Sequence, residues 1–235
     1  MSPTDSRERY ALRLLEPGDA AAVHRVHLAA LRALEDPGFL YARELRFFED
    51  LLEGGGIVVG AEAEGCLVGY AAMFARAREV NGFAADVRHL GLSAADIAET
   101  AGAAVDPDHQ RHGVFPLLFA ERFRHLRALR VPLVAFLVAR GNIGSLKITL
   151  RAGCLPVANH PDADGDNILL VKCLDGRPEP RADDGLFVPL AAWPEHFAIL
   201  DDGRHFGVPV TRGGEPGVSY VEAGRFPAAP AYPCG

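Results

Sequence analysis

The stretch Glu99-Thr100-Ala101-Gly102-Ala103-Ala104-Val105-Asp106-Pro107-Asp108-His109-Gln110-Arg111-His112-Gly113-Val114-Phe115-Pro116-Leu117-Leu118-Phe119 decides the fold. A strand rich in small residues ends at Val105, and Asp106-Pro107 turns the chain. A helix is predicted to begin near Gly113. Amides at a helix start have no partner inside the helix, and the helix dipole adds partial positive charge there. Such a start suits a pyrophosphate. Gly113 permits close backbone approach or a positive φ. Pro116 falls in the first turn, where an N–H is dispensable. His109, Arg111 and His112 supply local positive charge in an acidic chain. An ordinary strand–turn–helix with an incidental glycine has the same ingredients, so the flanking sequence must decide.

Upstream, Tyr10 to Leu15 reads as a strand. Pro17-Gly18-Asp19 breaks it, with Asp19 as the expected N-cap of the next helix. From Ala20 to Leu34 the apolar residues recur at helical spacing, through Val23, Val26, His27, Ala30 and Leu31. A second helix is predicted from about Ala42 to Leu52. Ile57 to Ala63 and Cys66 to Ala75 form a hairpin around Glu64-Gly65. Arg76 to Ser93 has no clear period and reads as a long loop. Downstream of the central stretch, Val114 to Leu129 is a helix and Val131 to Val138 a buried strand. Ile143 to Ala152 is a helix ended by Gly153, and Asn167 to Cys173 is the last core strand. The order β-α-α-β-β-β-α-β-α-β predicts an α/β chain with a locally parallel pair inside a mixed central sheet flanked by helices. After about Asp175 proline and glycine become frequent. Residues 1–175 are expected to form one domain. Residues 176–235 are expected to form an ordered extension of short strands and turns packed on it, because Trp193, Phe197, Phe206 and Tyr220 require burial.

The two blocks around the central helix and strand resemble the GNAT superfamily of acyltransferases. That family carries V-x-P followed by Q/R-x-x-G-x-G/A at a strand-to-helix junction. Here the residues are Val105-Asp106-Pro107, then Gln110-Arg111-His112-Gly113-Val114-Phe115. Its second block, N-x-x-A/S-x-x-L-Y-x-K-x-G-F, lies on a following helix. Here it reads Asn142-Ile143-Gly144-Ser145, then Ile148-Thr149-Leu150-Arg151-Ala152-Gly153-Cys154. The resemblance covers roughly Tyr10 to Cys173 and implies acetyl-CoA or another acyl-CoA as donor, with no metal. By match, Gln110, Arg111, His112, Gly113, Val114 and Phe115 hold the CoA pyrophosphate. Ala103, Ala104 and Val105 pair with the pantetheine arm. Asn142 contacts that arm, or orders the splayed strands, with Ser145 at the small position beside it.

Two residues depart from the pattern. Phe115 replaces the last Gly or Ala of the loop. Thr149 replaces the tyrosine that often protonates the departing thiolate, and a threonine hydroxyl is a poor acid. His27 and Tyr41 are alternative sources of that proton, although a packed or solvated helix residue is the plainer reading of His27. Attack on a thioester needs a free amine, so a base must take a proton near neutral pH. Glu99 stands where several members of the family carry a strand carboxylate base; the alternative is an exposed strand-end glutamate. A backbone N–H near Ala103 to Val105 would stabilise the oxyanion by the family's pattern. Acceptor walls in the family come from the first two helices and the loop between them. That nominates Phe39, Tyr41, Phe47, Phe48 and the Arg76 to Ser93 loop, in which Arg76, Arg78 and Arg88 suit a carboxylate-bearing acceptor.

Composition limits the partners. The chain has 235 residues and a formal net charge of −7, which argues against nucleic acid and anionic membrane. Cys66, Cys154, Cys173 and Cys234 make no CxxC pair and read as reduced thiols, with Cys154 in a packing role. Ser2 to Arg9 is polar, and no apolar run approaches a membrane span. A cytoplasmic enzyme acting on a small-molecule amine is expected, with a homodimer and an acyl carrier protein as further candidate partners. Two rival readings remain. One is a transferase of similar fold fed by a carrier protein or aminoacyl-tRNA. The other is a non-catalytic acyl-CoA binding module.

Overall fold

The computed structural model describes residues 9–75, 86–162, 165–182 and 184–229. The chain divides into two units, residues 1–75 with 99–129 and residues 76–98 with 130–235.

The first unit is built on strands β1 (Ala11–Leu14), β2 (Ile57–Ala63), β3 (Cys66–Phe74) and β4 (Ile97–Val105), of which β4 belongs to it from Glu99 onward. Neighbours pair antiparallel in the order β1-β2-β3-β4. Glu64 and Gly65 both take positive φ, 52° and 76°, in the β2–β3 turn, as a tight hairpin demands. Helices α1 (Ala20–Ala33) and α2 (Leu45–Glu53) bring Val23, Val26, Phe48 and Leu51 into one core with Val58, Tyr70 and Ala72. Helix α3 (Val114–Ala128) contributes Val114, Leu117 and Leu118 to a second core with Val59, Ala61, Ala71 and Val105. Strand residues of alternating parity feed the two cores, as the two-residue period of a strand requires. Asp19 precedes α1 but does not cap it through its side chain. Its carboxylate accepts instead from the Arg13 guanidinium at 2.7 and 2.8 Å and from the Glu16 amide. Arg13 thereby holds the Asp19 carboxyl below the usual range.

In the second unit β5 (Leu133–Ala139), β7 (Gly165–Cys173) and β6 (Leu155–Asp162) pair antiparallel in that order, with α4 (Ile143–Arg151) between β5 and β6 in sequence. Strand β6 is absent from the sequence reading, which passes directly from α4 to the last core strand. Beyond residue 175 the expected strands form a sheet of their own, β8 (Leu186–Pro189), β10 (Glu215–Glu222) and β9 (His205–Arg212). A helix, α5 (Trp193–Leu200), stands in the extension expected to hold only short strands and turns. Phe206, Val208 and Val221 share a buried cluster with Leu155, Val157, Leu169 and Val171 of β6 and β7. Asn159 donates to Phe197 O at 2.8 Å. The Arg177 guanidinium binds Asp175 at 2.9 Å and Pro227 O at 3.1 Å. The side chains of Arg177 and Asp175 are only 4% and 2% exposed.

Cys66, Cys154 and Cys173 are free thiols, and Cys154 is fully buried. Burial pushes the Cys173 thiol up to about 11. Among the described residues no helix is long and apolar enough to cross a membrane. Arg76, Arg78 and Cys234 lie outside the described residues.

Candidate functional site

Strand β4 is irregular at its middle. Gly102 pairs with Ala72 and Thr100 with Met73, so Ala101 is an extra residue in the ladder. Gly102 takes φ +120° beside it, which only glycine adopts cheaply. A bulge of this kind bends the strand and re-aims the groups around it. Beyond it Ala103, Ala104 and Val105 pair with Ala71, Tyr70 and Gly69, and Asp106 N donates to Val68 O at 2.8 Å.

Glu99 lies before the bulge, opposite Phe74. Directly opposed residues share a face of the sheet, and Phe74 belongs to the core formed with α1 and α2. Glu99 is 4% exposed, so the alternative of an exposed strand-end glutamate does not hold.

The loop expected to hold the donor follows Val105. Asp106 accepts from Asp108 N at 3.1 Å and opens a single 3-10 turn, Pro107–His109. The Gln110 side-chain amide donates to Val105 O at 3.2 Å and ties the loop to the strand end. His109 Nδ1 lies 3.2 Å from the Tyr10 hydroxyl, which anchors the loop to the start of β1. Arg111 takes φ +62° and Gly113 φ +81°. With Gly113 as N-cap, α3 begins at Val114. The ladder starts with Leu117 N donating to Gly113 O, and Pro116 has no N–H. The amides of Gly113, Val114 and Phe115 therefore stand outside the helix's own ladder. Arg111 is exposed, while His112 and Phe115 are half-buried. Phe115 stacks on Phe119 with ring centroids 5.0 Å apart. The residues present fit a pyrophosphate: clustered amides, a dipole end and the Arg111 guanidinium in the same loop.

The remaining sequence candidates lie in the second unit, on α4. Asn142 is its N-cap, and its side-chain oxygen accepts from Ser145 N at 3.0 Å. Thr149 is buried, and its hydroxyl donates to Ser145 O at 3.0 Å and Leu146 O at 2.9 Å. A hydroxyl has one hydrogen, and the helix carbonyls hold this one.

Back in the first unit, the sequence reading missed two buried polar side chains. Tyr70 is 1% exposed, and its hydroxyl lies 2.8 Å from His27 Nδ1. Burial raises its phenol well above the ordinary range. Arg122 is buried on α3 with its guanidinium 4.2 Å above the Phe119 ring. Its spacing in the stripe Leu118, Arg122, Leu126 was the available signal. His27 is packed against Phe48 and Tyr70, with burial the main cause of a pKa lowered to about 4. Tyr41 stacks under the Arg43 guanidinium at 5.3 Å.

The comparisons follow the same outline. The family model described as acetyltransferase (GNAT) family matches residues 22–153. The ribosomal-protein-S18-alanine N-acetyltransferase from Escherichia coli superposes with TM-score 0.52 at 18% identity, covering 72% of this chain and 97% of its own. The Salmonella typhimurium yncA structure, which includes its cofactor acetyl-CoA, gives 0.53 at 21%, covering 74% and 98%. A GCN5-related N-acetyltransferase from Kribbella flavida gives 0.54 at 15%, covering 71% and 98%. At such identities the likeness concerns the fold, which is the expected α/β arrangement of a mixed sheet flanked by helices. Among curated proteins there is no match. Gln110 to Phe115 and Asn142 to Gly153 fall inside the matched segment, and the chain belongs to the GNAT family of acetyltransferases.

Proposed function

We propose that this acyltransferase moves an acetyl or other acyl group from a CoA thioester to the primary amine of a small molecule by direct attack. One observation carries the reading: a strand end and a glycine-capped helix start leave the amides of Gly113, Val114 and Phe115 outside the helix ladder, beside Arg111. On this reading Gln110 to Phe115 hold the donor's pyrophosphate. Ala103, Ala104 and Val105 hold the pantetheine arm.

The acceptor arrives as an ammonium with no lone pair. Glu99 takes one proton and frees it. The nitrogen attacks the thioester carbon, and a backbone N–H near Ala103 to Val105 donates to the oxyanion. The C–S bond then breaks with its electron pair on sulfur, and the nitrogen gives up its second proton to solvent water. Thr149 is poorly suited to protonate that sulfur, since its hydroxyl already serves helix carbonyls; the role falls to water, to another residue or to none. The two helices α1 and α2 and the segment between them form the acceptor wall, and residues 176–235 belong to an extension packed on the core. The reading places the reaction in the cytoplasm.

The test is thiol release from acetyl-CoA with a panel of free amino acids, polyamines and short peptides, set beside CoA binding by calorimetry. Binding with turnover of an amine supports the reading. Binding without turnover of any amine favours a sensing module, and failure to bind CoA refutes it.

A further inference from the structure

The segment between α1 and α2 is held from below by one imidazole. His27 sits on α1, 1% exposed, and its two ring nitrogens face different parts of the first unit. At Nε2 it receives the Arg43 backbone N–H at 3.2 Å. At Nδ1 it meets the Tyr70 hydroxyl at 2.8 Å. Tyr70 stands on β3 opposite Ala104. Its hydroxyl is 3.6 Å from the point a Cβ on Gly102 would occupy. The hydroxyl therefore rests against the bulge in β4. Glu99 and Phe74 oppose each other beyond that bulge, and register puts them on the same face as Tyr70 and Ala72. Phe48 closes the group, with ring centroids 5.3 Å from His27 and 5.6 Å from Tyr70.

Apolar packing alone would not need this arrangement. A buried histidine and a buried tyrosine each cost desolvation unless hydrogen-bonded. Here their bonds join three elements that are distant in sequence: the Tyr41–Arg43 segment, α1 and the β3–β4 pair. Each bond is directional, so the chain of bonds fixes distance and orientation where apolar contact would allow sliding.

We propose that His27 and Tyr70 are positioning residues that lock the Tyr41–Arg43 segment to the β4 bulge, fixing the acceptor wall relative to Glu99. The inference rests on the reading above for the identity of that wall and of Glu99. The lock itself does not, because it lies wholly within the first unit.

The test uses two variants of the full chain. Tyr70→Phe keeps the ring and removes the hydroxyl. His27→Asn retains a group near the Nδ1 position and removes the one that receives Arg43. Hydrogen exchange read at the Arg43 amide should quicken about tenfold in both, the scale of one lost hydrogen bond, while β2 and β3 amides stay protected. With acetyl-CoA and the best amine of the panel, KM for the amine should rise about tenfold while CoA affinity stays within about twofold. Unchanged Arg43 exchange in both variants overturns the lock. Changed exchange with unchanged amine KM overturns its role in acceptor placement. A parallel loss of CoA affinity also overturns it, because the effect would then be general loosening. If the parent acetylates no amine, the proposed function fails, and the exchange measurement still decides the lock.

Discussion

Replacing Gly113 by valine puts the donor loop to a quantitative test. Gly113 sits at φ +81°, ψ 7° as the N-cap of α3. An L-residue in that left-handed region costs about 1–2 kcal/mol, and a β-branched one fares worse. Either the loop keeps its shape and the branched side chain crowds the amides, or it relaxes and the amides turn away. On the proposed assignment, both routes remove hydrogen bonds from Gly113, Val114 and Phe115 to a charged phosphate. Such bonds are worth about 1.5–3 kcal/mol each. Losing two costs about 3–6 kcal/mol, or about 10²- to 10⁴-fold in Kd at 1.4 kcal/mol per decade. Calorimetry with CoA at one fixed ionic strength is the assay, since phosphate contacts are salt-dependent. Gly65→Val is the control. Gly65 has φ +76° in the β2–β3 turn, and a Cβ there would meet nothing within 4 Å, so the variant carries similar strain outside the donor loop. It should lower thermal stability and leave Kd unchanged. Gly113→Val binding within twofold of the parent, or Gly65→Val losing as much affinity, would refute the assignment.

Glu99→Gln should lower turnover by about 10²-fold near neutral pH and recover in part at high pH, as free amine accumulates; an unchanged pH–rate profile leaves Glu99 a structural residue. Asp175→Asn leaves the buried Arg177 charge uncompensated and should cost about 3–5 kcal/mol in urea melts at pH 7. Arg177 depresses the folded-state pKa of Asp175, so that stability is present above the unfolded carboxylate's range and is lost as pH falls through the folded value. The gap between parent and variant should therefore close in acid, and a gap that stays constant down to about pH 2 contradicts the linkage. A chain ending at Asp175 strips Phe206, Val208 and Val221 from Leu155 and Val157. It should aggregate, or melt well below the parent in a thermal scan; an intact melting temperature would make the extension an independent appendage.

What was legible in the sequence was local. The junction from Val105 to Val114 is written in residues that act through their own backbone: Pro107 turns the chain, Gly113 takes positive φ and Pro116 forgoes an amide. The Glu64-Gly65 turn and the apolar stripe of α1 were legible for the same reason. Strand β6 was not, because Pro156 and Pro161 fall within Leu155–Asp162 and proline removes a ladder donor. The structure tolerates them because β6 ends its sheet order, pairing with β7 and bulging between Pro156 and Ala158. Helix α5 was hidden in a proline-rich stretch, although Pro194 in its first turn is a helix-start signal.

The site divides along the same line. Asn142 and Thr149 were found by pattern, but their side chains proved to be occupied by α4 itself, through a cap and a back-bond to helix carbonyls. Pattern located the positions and said nothing of the bonds already made there. Tyr70 carried no signal at all, since a tyrosine in a hairpin strand is ordinary. Its meaning comes from His27, 43 residues earlier, and from a bulge at Gly102. No local rule reports a hydrogen bond across that separation. The backbone's offer to an anion can thus be read from the residues that shape it. A buried hydrogen bond such as that of His27 with Tyr70 becomes readable only once the fold brings its partners together, whereas the glycine-capped helix start was legible because its own residues shape it.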